Sequence, residues 1–178
     1  MKKTIEKTDA AIIFGYNEYA LEIADNISFK YNKVEFFTLD ESEKAKKFDL
    51  SDDWSYLEDE FDMKNSVAFC VVEDDATNIF LTLSLRATFK ELNIVAFCKN
   101  KESASKLKLA GANKVIPLIQ TTAQMIGDIL TKPIVTKVMH DILYEKSELK
   151  IAQILVEKEA EFIGKTPFEV DWSQEYGI

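Results

Sequence analysis

Gly15-Tyr16-Asn17-Glu18-Tyr19-Ala20, directly after the apolar run Ala10 to Phe14, and Asp40, 25 positions beyond Gly15, form the pattern in this sequence that most resembles a ligand site. A glycine turn between a strand and a helix is where the dinucleotide fingerprint G-x-G-x-x-G sits. Its first glycine permits the tight turn, the second lets pyrophosphate approach the backbone, and the third allows close helix–strand packing. Gly15 keeps the turn, and Ala20 is tolerable at the third position. Asn17 adds a side chain where phosphate would approach, and Glu18 adds a negative charge beside it, which weakens anion binding at the helix N-terminus. Asp40 stands where an acid accepts the hydroxyl hydrogens of a ribose. Two readings stay open here: a residual nucleotide site, and a turn that serves only the fold.

The segment Asp40 to Lys64 holds ten acids against four lysines, two thirds of the excess charge of a chain of 178 residues with net charge −9. It is either a solvated acidic face or a cation site. Other chemistries lack their residues. There is no G-x-S-x-G elbow, and one histidine, His140, cannot be assigned to any serine and is given no metal role. Cys70 and Cys98 lie inside apolar runs and read as buried small hydrophobes of a reducing compartment, so neither a disulfide framework nor a catalytic or metal residue is expected. A hydride-transfer enzyme would need a substrate domain that the chain after the sheet is too short to supply.

These groups must be positioned by strands and helices that alternate. Ala10–Phe14, Val34–Leu39, Val67–Val72, Ile94–Cys98 and Lys114–Ile116 are short apolar runs, as parallel strands buried on both faces are. Helical spacing follows Asn17 (Tyr19, Ala20, Ile23, Ala24, Ile27), follows Asp75, which is expected to cap its helix, and recurs from Ser103 to Ala110, where Gly111 ends it. Short helices are also expected around Glu41–Lys47 and Trp54–Glu60, separated by a brief extended stretch near Phe48. The fold class is therefore α/β, a Rossmann-like doubly wound parallel sheet over residues 1–118. After Pro117 two apolar helices, over 119–146 and interrupted at Pro133, either pack on the same sheet or pair with a second copy; the width of their apolar stripes favours pairing. Residues 147–178 read as the start of an incomplete lobe, with a strand from Leu149. The acidic balance, with Arg86 as the one arginine, argues against nucleic acid and against an anionic membrane face. No targeting or membrane-spanning run is visible.

The runs IIFGYNEYALEIADNI, VEFFTLD, VAFCVVEDDATNIFLTLSLRA and ESASKLKLAGANKVIPLIQTTAQMIGDIL together resemble the regulator of K+ conductance domain (RCK, or TrkA-N) of prokaryotic potassium channels and uptake systems, over roughly residues 10–145. The resemblance implies a non-enzymatic, cytoplasmic gating domain, attached to an inner-membrane channel or transporter. A ligand would bind at the strand ends, and the helices over 119–146 would cross to a second copy in a homodimer or larger ring beside a membrane pore. It implies a site for NAD or an adenine nucleotide at Gly15, Tyr16, Asn17, Asp40, Asp49 and Glu73, degenerate because Glu18, Phe48 and Phe97 stand where relatives carry a basic residue, a glycine and an arginine. In the implied fold Asp40, Asp49, Glu73 and Asp74 would also approach the strand ends, which leaves a divalent cation open. The other class to weigh is a Rossmann-type NAD(P)-dependent enzyme fragment lacking its substrate domain.

Overall fold

The computed structural model describes residues 9–144 and Gly164. They fall into two compact units, Met1–Gly127 and Asp128–Ile178. In the first unit six parallel strands form one sheet: β1 (Ala10–Phe14), β2 (Lys33–Thr38), β3 (Lys46–Lys47), β4 (Val67–Cys70), β5 (Asn93–Cys98) and β6 (Lys114–Pro117). Their order is β3-β2-β1-β4-β5-β6, the doubly wound order in which the chain reverses direction across the sheet between β1 and β4. Four α-helices lie in the connections, α1 (Glu18–Ile27), α2 (Leu57–Glu60), α3 (Asp75–Thr88) and α4 (Lys101–Leu109), and α5 (Leu118–Thr131) follows the last strand. The expected Rossmann-like α/β sheet is present.

The central strand explains why the apolar runs are continuous. All five residues of β1 are buried, because β1 is sandwiched in the sheet plane by β2 and β4 and covered on both faces. On one face Ile12 and Phe14 join Cys70, Leu81, Leu85, Ile94, Ala96 and Leu107 in the main core, under α3 and α4. On the other face Ile13 and Val71 meet Ala20 and Ala24 of α1. Both cysteines are buried and free, as expected.

The acidic segment owes its order to the apolar residues threaded through it. Phe48, Trp54, Leu57 and Phe61 are all buried, and Trp54 packs edge-on to Phe14 at 5.2 Å between ring centroids. Its carboxylates turn outward into local hydrogen bonds: Asp49 accepts from the Ser51 amide, Asp52 from the Asp49 amide, and Asp53 from the Ser55 amide. Such bonds are what make Asp a turn residue. The helix expected over Glu41–Lys47 is absent. Lys46 and Lys47 instead pair with Phe37 and Thr38 as the short edge strand β3, and their ammonium groups reach Glu60 at 3.2 Å and Glu41 at 2.5 Å. Pairing with β2 outweighs a weak local helix preference. Pro117, expected to stop the last strand, is its final residue, opposite Cys98; β6 is an edge strand, where a missing N–H costs no ladder bond.

The sole arginine is part of the scaffold. The Arg86 side chain donates to the carbonyls of Gly111, Phe89, Lys90 and Leu92 and to Asn113 Oδ1, at 2.6 to 3.0 Å. Gly111 has φ of +102°, and a Cβ there would lie 2.5 Å from Arg86 Cγ. The close approach requires glycine as much as the dihedral does.

In the second unit α6 (Pro133–Tyr144) begins at the proline seen in the sequence. No residue of α5 is buried, and Ile119, Leu130, Ile134 and Val135 are between 60% and 79% exposed. The strand expected from Leu149 and the lobe expected over 147–178 lie outside the described residues, Gly164 excepted.

Candidate functional site

At the reversal point the C-terminal ends of β1, β4 and β5 diverge around a cleft of about 500 Å³, lined on one side by Asn17, Glu18 and Tyr19 and on the other by Glu73, Asp75, Asn78 and Lys99. In open α/β sheets this crevice is where ligands bind. Its first wall is the β1–α1 turn. Gly15 has φ of +128°, donates its N–H to the Phe37 carbonyl at 2.8 Å, and lies so close to β4 that an added Cβ would be 2.9 Å from the Val71 carbonyl carbon and oxygen. Only glycine serves at that contact. Asn17 then caps α1: its Oδ1 accepts the Ala20 amide at 3.0 Å while its Nδ2 donates to the Val71 carbonyl at 2.7 Å. The carboxamide thus ties α1 to β4 and occupies the place where a phosphate would meet the helix N-terminus.

The opposite wall hangs on Asn78, which is 1% exposed. Its Oδ1 accepts the Val72 amide at 3.0 Å, and its Nδ2 donates to the carbonyls of Val72 at 2.7 Å and Phe97 at 3.2 Å. One side chain therefore sets the spacing of the β4 and β5 ends. The α3 cap is Asp74 rather than the expected Asp75: its carboxylate accepts from the Thr77 amide and hydroxyl, both at 2.7 Å, and those bonds hold it below the usual carboxylate range. Asp75 lies one residue inside the helix, where its side chain turns to β5 and accepts from the Lys99 amide at 3.0 Å and from Asn100 Nδ2 at 3.1 Å. The Cys98 thiol is shielded at the base of the cleft, and burial, with Asp75 nearby, raises its pKa. Tyr19 and Phe97 meet edge to face at 6.0 Å across the mouth.

Of the six residues expected to hold a ligand, the cleft contains Asn17 and Glu73, and Gly15 shapes the turn behind it. Tyr16 packs edge-on against Phe36 at 5.4 Å, and Asp40 is exposed beyond β2, where its amide donates to Thr38 Oγ1. Asp49 spends its carboxylate on the Ser51 amide and hydroxyl. Neither Asp40 nor Asp49 lines the cleft. The divalent-cation possibility loses its ligand set for the same reason: among the described residues no group of three or more His, Cys, Asp or Glu side chains is placed to hold a metal ion. The sequence left Tyr19, Asn78, Lys99 and Leu118 out of the site. Asn78 had a signal, since it is a polar residue in register with the buried Leu81 and Leu85.

Two findings define the class. The fold is that of a Rossmann-like sheet with its cleft at the reversal point, and the family model of the TrkA-N domain matches residues 55–118. The chain is 28% identical over 98 residues to the probable potassium channel protein 2 of Methanocaldococcus jannaschii, an alignment covering 52% of this chain and 28% of that relative. Among solved structures, GsuK bound to ADP superposes with a TM-score of 0.58 at 22% identity, over 70% of this chain and 34% of that one. The TrkA-N domain of the inner membrane protein ybaL from Escherichia coli does so with a TM-score of 0.58 at 12% identity, over 71% of this chain and 99% of that one. These likenesses establish the fold. The chain spans about a third or less of the length of the potassium channel relative and of GsuK. No described helix is long and apolar enough to cross a membrane.

Proposed function

We propose that this chain is a non-enzymatic, ligand-sensing regulatory domain of a potassium channel or potassium transporter, lying on the cytoplasmic side, with a degenerate nucleotide site in the cleft. The observation that carries this reading is the place of the TrkA-N match. Residues 55–118 supply every lining residue of the cleft except Asn17, Glu18 and Tyr19. The likeness to a probable potassium channel protein and to the fold of an ADP-bound protein supports it. Degeneracy is supported by the filled α1 N-terminus: Asn17 takes the Ala20 amide that an anion would use, and Glu18 stands beside it.

The domain division belongs to the same proposal: residues 1–118 as the sensing sheet, 119–146 as dimerisation helices, 147–178 as a further segment. The exposed apolar side chains of α5 and α6 support pairing with a second copy, because a monomer that left them in water would carry an aggregation hazard. The test is potassium transport in a host carrying the complete protein. Deleting its coding segment is expected to alter rubidium uptake under limiting potassium, while the purified chain consumes no NAD(P)H. Unchanged uptake in every condition, or turnover of the reduced cofactor, contradicts the proposal.

A further inference from the structure

The cleft has walls suited to a flat ring and charges unsuited to phosphate. Tyr19, Phe97, Val71, Val72 and Leu118 offer apolar surface, and about 500 Å³ is ample for a base and its sugar. Against the single ammonium group of Lys99 stand three carboxylates, those of Glu18, Glu73 and Asp75. Asp75 is already engaged with the Lys99 amide and with Asn100. Glu18 and Glu73 are exposed at the rim. At the α1 N-terminus the Ala20 amide is spent on Asn17 Oδ1, and the amides of Glu18 and Tyr19 stand beside the Glu18 carboxylate, which opposes an anion there.

We infer that the cleft takes the uncharged part of a nucleotide and rejects its phosphates, so that its ligand class is a nucleoside and each added phosphate weakens binding. The inference rests on the reading of the cleft as a ligand site and sharpens it. Carboxylates only accept hydrogen bonds, and a nucleoside presents donors to match them: the ribose hydroxyls and the exocyclic amine of the base. A phosphate presents only acceptors and negative charge. With two carboxylates within reach, each phosphate charge is expected to weaken binding on the order of fivefold at low salt, and less as screening shortens the range of the repulsion.

The experiment is calorimetric titration of the full chain with adenosine, AMP, ADP and ATP, and with the matching guanosine series, at about 0.02 M and about 0.5 M salt. A nucleoside is expected to bind tightest in its series, each phosphate charge to cost about fivefold at the lower salt, so that the step to the monophosphate is the largest, and the gap to shrink at the higher salt. The Glu18→Gln/Glu73→Gln double substitution, at two exposed positions, is expected to close most of that gap by removing the repulsion, while weakening the nucleoside itself through the loss of two charged acceptors. ADP or ATP binding as tightly as its nucleoside overturns the inference and leaves the cleft a ligand site. Failure of every compound to bind at millimolar concentration overturns the inference and removes the cleft from the proposed function as well. The wild-type series decides the matter by itself should the double variant fail to fold.

Discussion

Replacing Asn78 with aspartate changes one atom's chemistry at the residue that holds the cleft together. The first carboxylate oxygen keeps the bond from the Val72 amide, but the second faces the carbonyls of Val72 and Phe97, to which Nδ2 donates at 2.7 and 3.2 Å. Two neutral hydrogen bonds are lost at about 1 kcal/mol each, and a charge confronts two oxygens in a site 1% exposed, for a total of about 3 kcal/mol at neutral pH. Protonation lets the acid donate to one of the carbonyls again and reduces the cost to about 1 kcal/mol. The difference corresponds to a folded-state pKa raised about 1.5 units above the ordinary aspartate value of about 3.9. A raised folded pKa contributes stability that is present below the unfolded value and is lost as pH rises through the folded one. Asn78→Asp should therefore lose its extra 2 kcal/mol or so between about pH 4 and pH 6, whereas Asn78→Ala should cost about 2–3 kcal/mol at every pH. Urea unfolding of both variants beside wild type at the two ends of that range measures it. Two parallel, pH-independent losses, or an aspartate variant within about 0.5 kcal/mol of wild type at neutral pH, would refute the clamp.

Further outcomes follow from the same contacts. Gly15→Ala should lower stability by at least about 2 kcal/mol in thermal unfolding, since its Cβ meets the Val71 carbonyl at 2.9 Å under a φ of +128°; a neutral result would show that the β1–α1 turn has room to spare. Arg86→Lys offers three donors where five bonds are made, so it should cost about 2 kcal/mol. Gly111→Ala, which displaces the same guanidinium, should then be strongly non-additive with it in a double-mutant cycle. Cys70, whose thiol burial pushes up to about 12, and Cys98 should resist alkylation at pH 8 in the native protein and react in urea; mass-shifted native protein would contradict their burial. Glutamate at Ile126 and Leu130 should turn a sedimenting dimer into a monomer, and a wild-type chain already monomeric at micromolar concentration would count against pairing through α5.

The sheet was legible because parallel strands buried on both faces leave unbroken apolar runs, and Ala10–Phe14 is 0% exposed at every position. The turn at Gly15 was legible because a strand, a glycine and a capping asparagine in that order have few other uses. The acidic segment was harder. Its apolar residues are spaced for a single-sided surface, while the pairing of Lys46 and Lys47 with β2 is a tertiary event that no local pattern records. The α3 cap was misplaced by one residue because Asp74 and Asp75 are equally good caps locally, and only the contact of Asp75 with β5 separates them. Asp40 follows from its spacing after the glycine turn and Asp49 from the resemblance alone, and both lie outside the cleft lining. Asn78 is not legible as a site residue because its partners are backbone groups at the ends of two strands, one of them 19 residues away.

In the proposed function the cleft senses a ligand and its occupancy controls potassium movement. Rubidium flux through liposomes containing the complete protein, with a nucleoside or nucleotide added on the side of this domain, tests it most directly. An occupant of the cleft is expected to change the flux, the change to be blunted by Asn78→Ala, and no compound to be consumed. Flux indifferent to every nucleoside and nucleotide, or consumption of one of them, would contradict it.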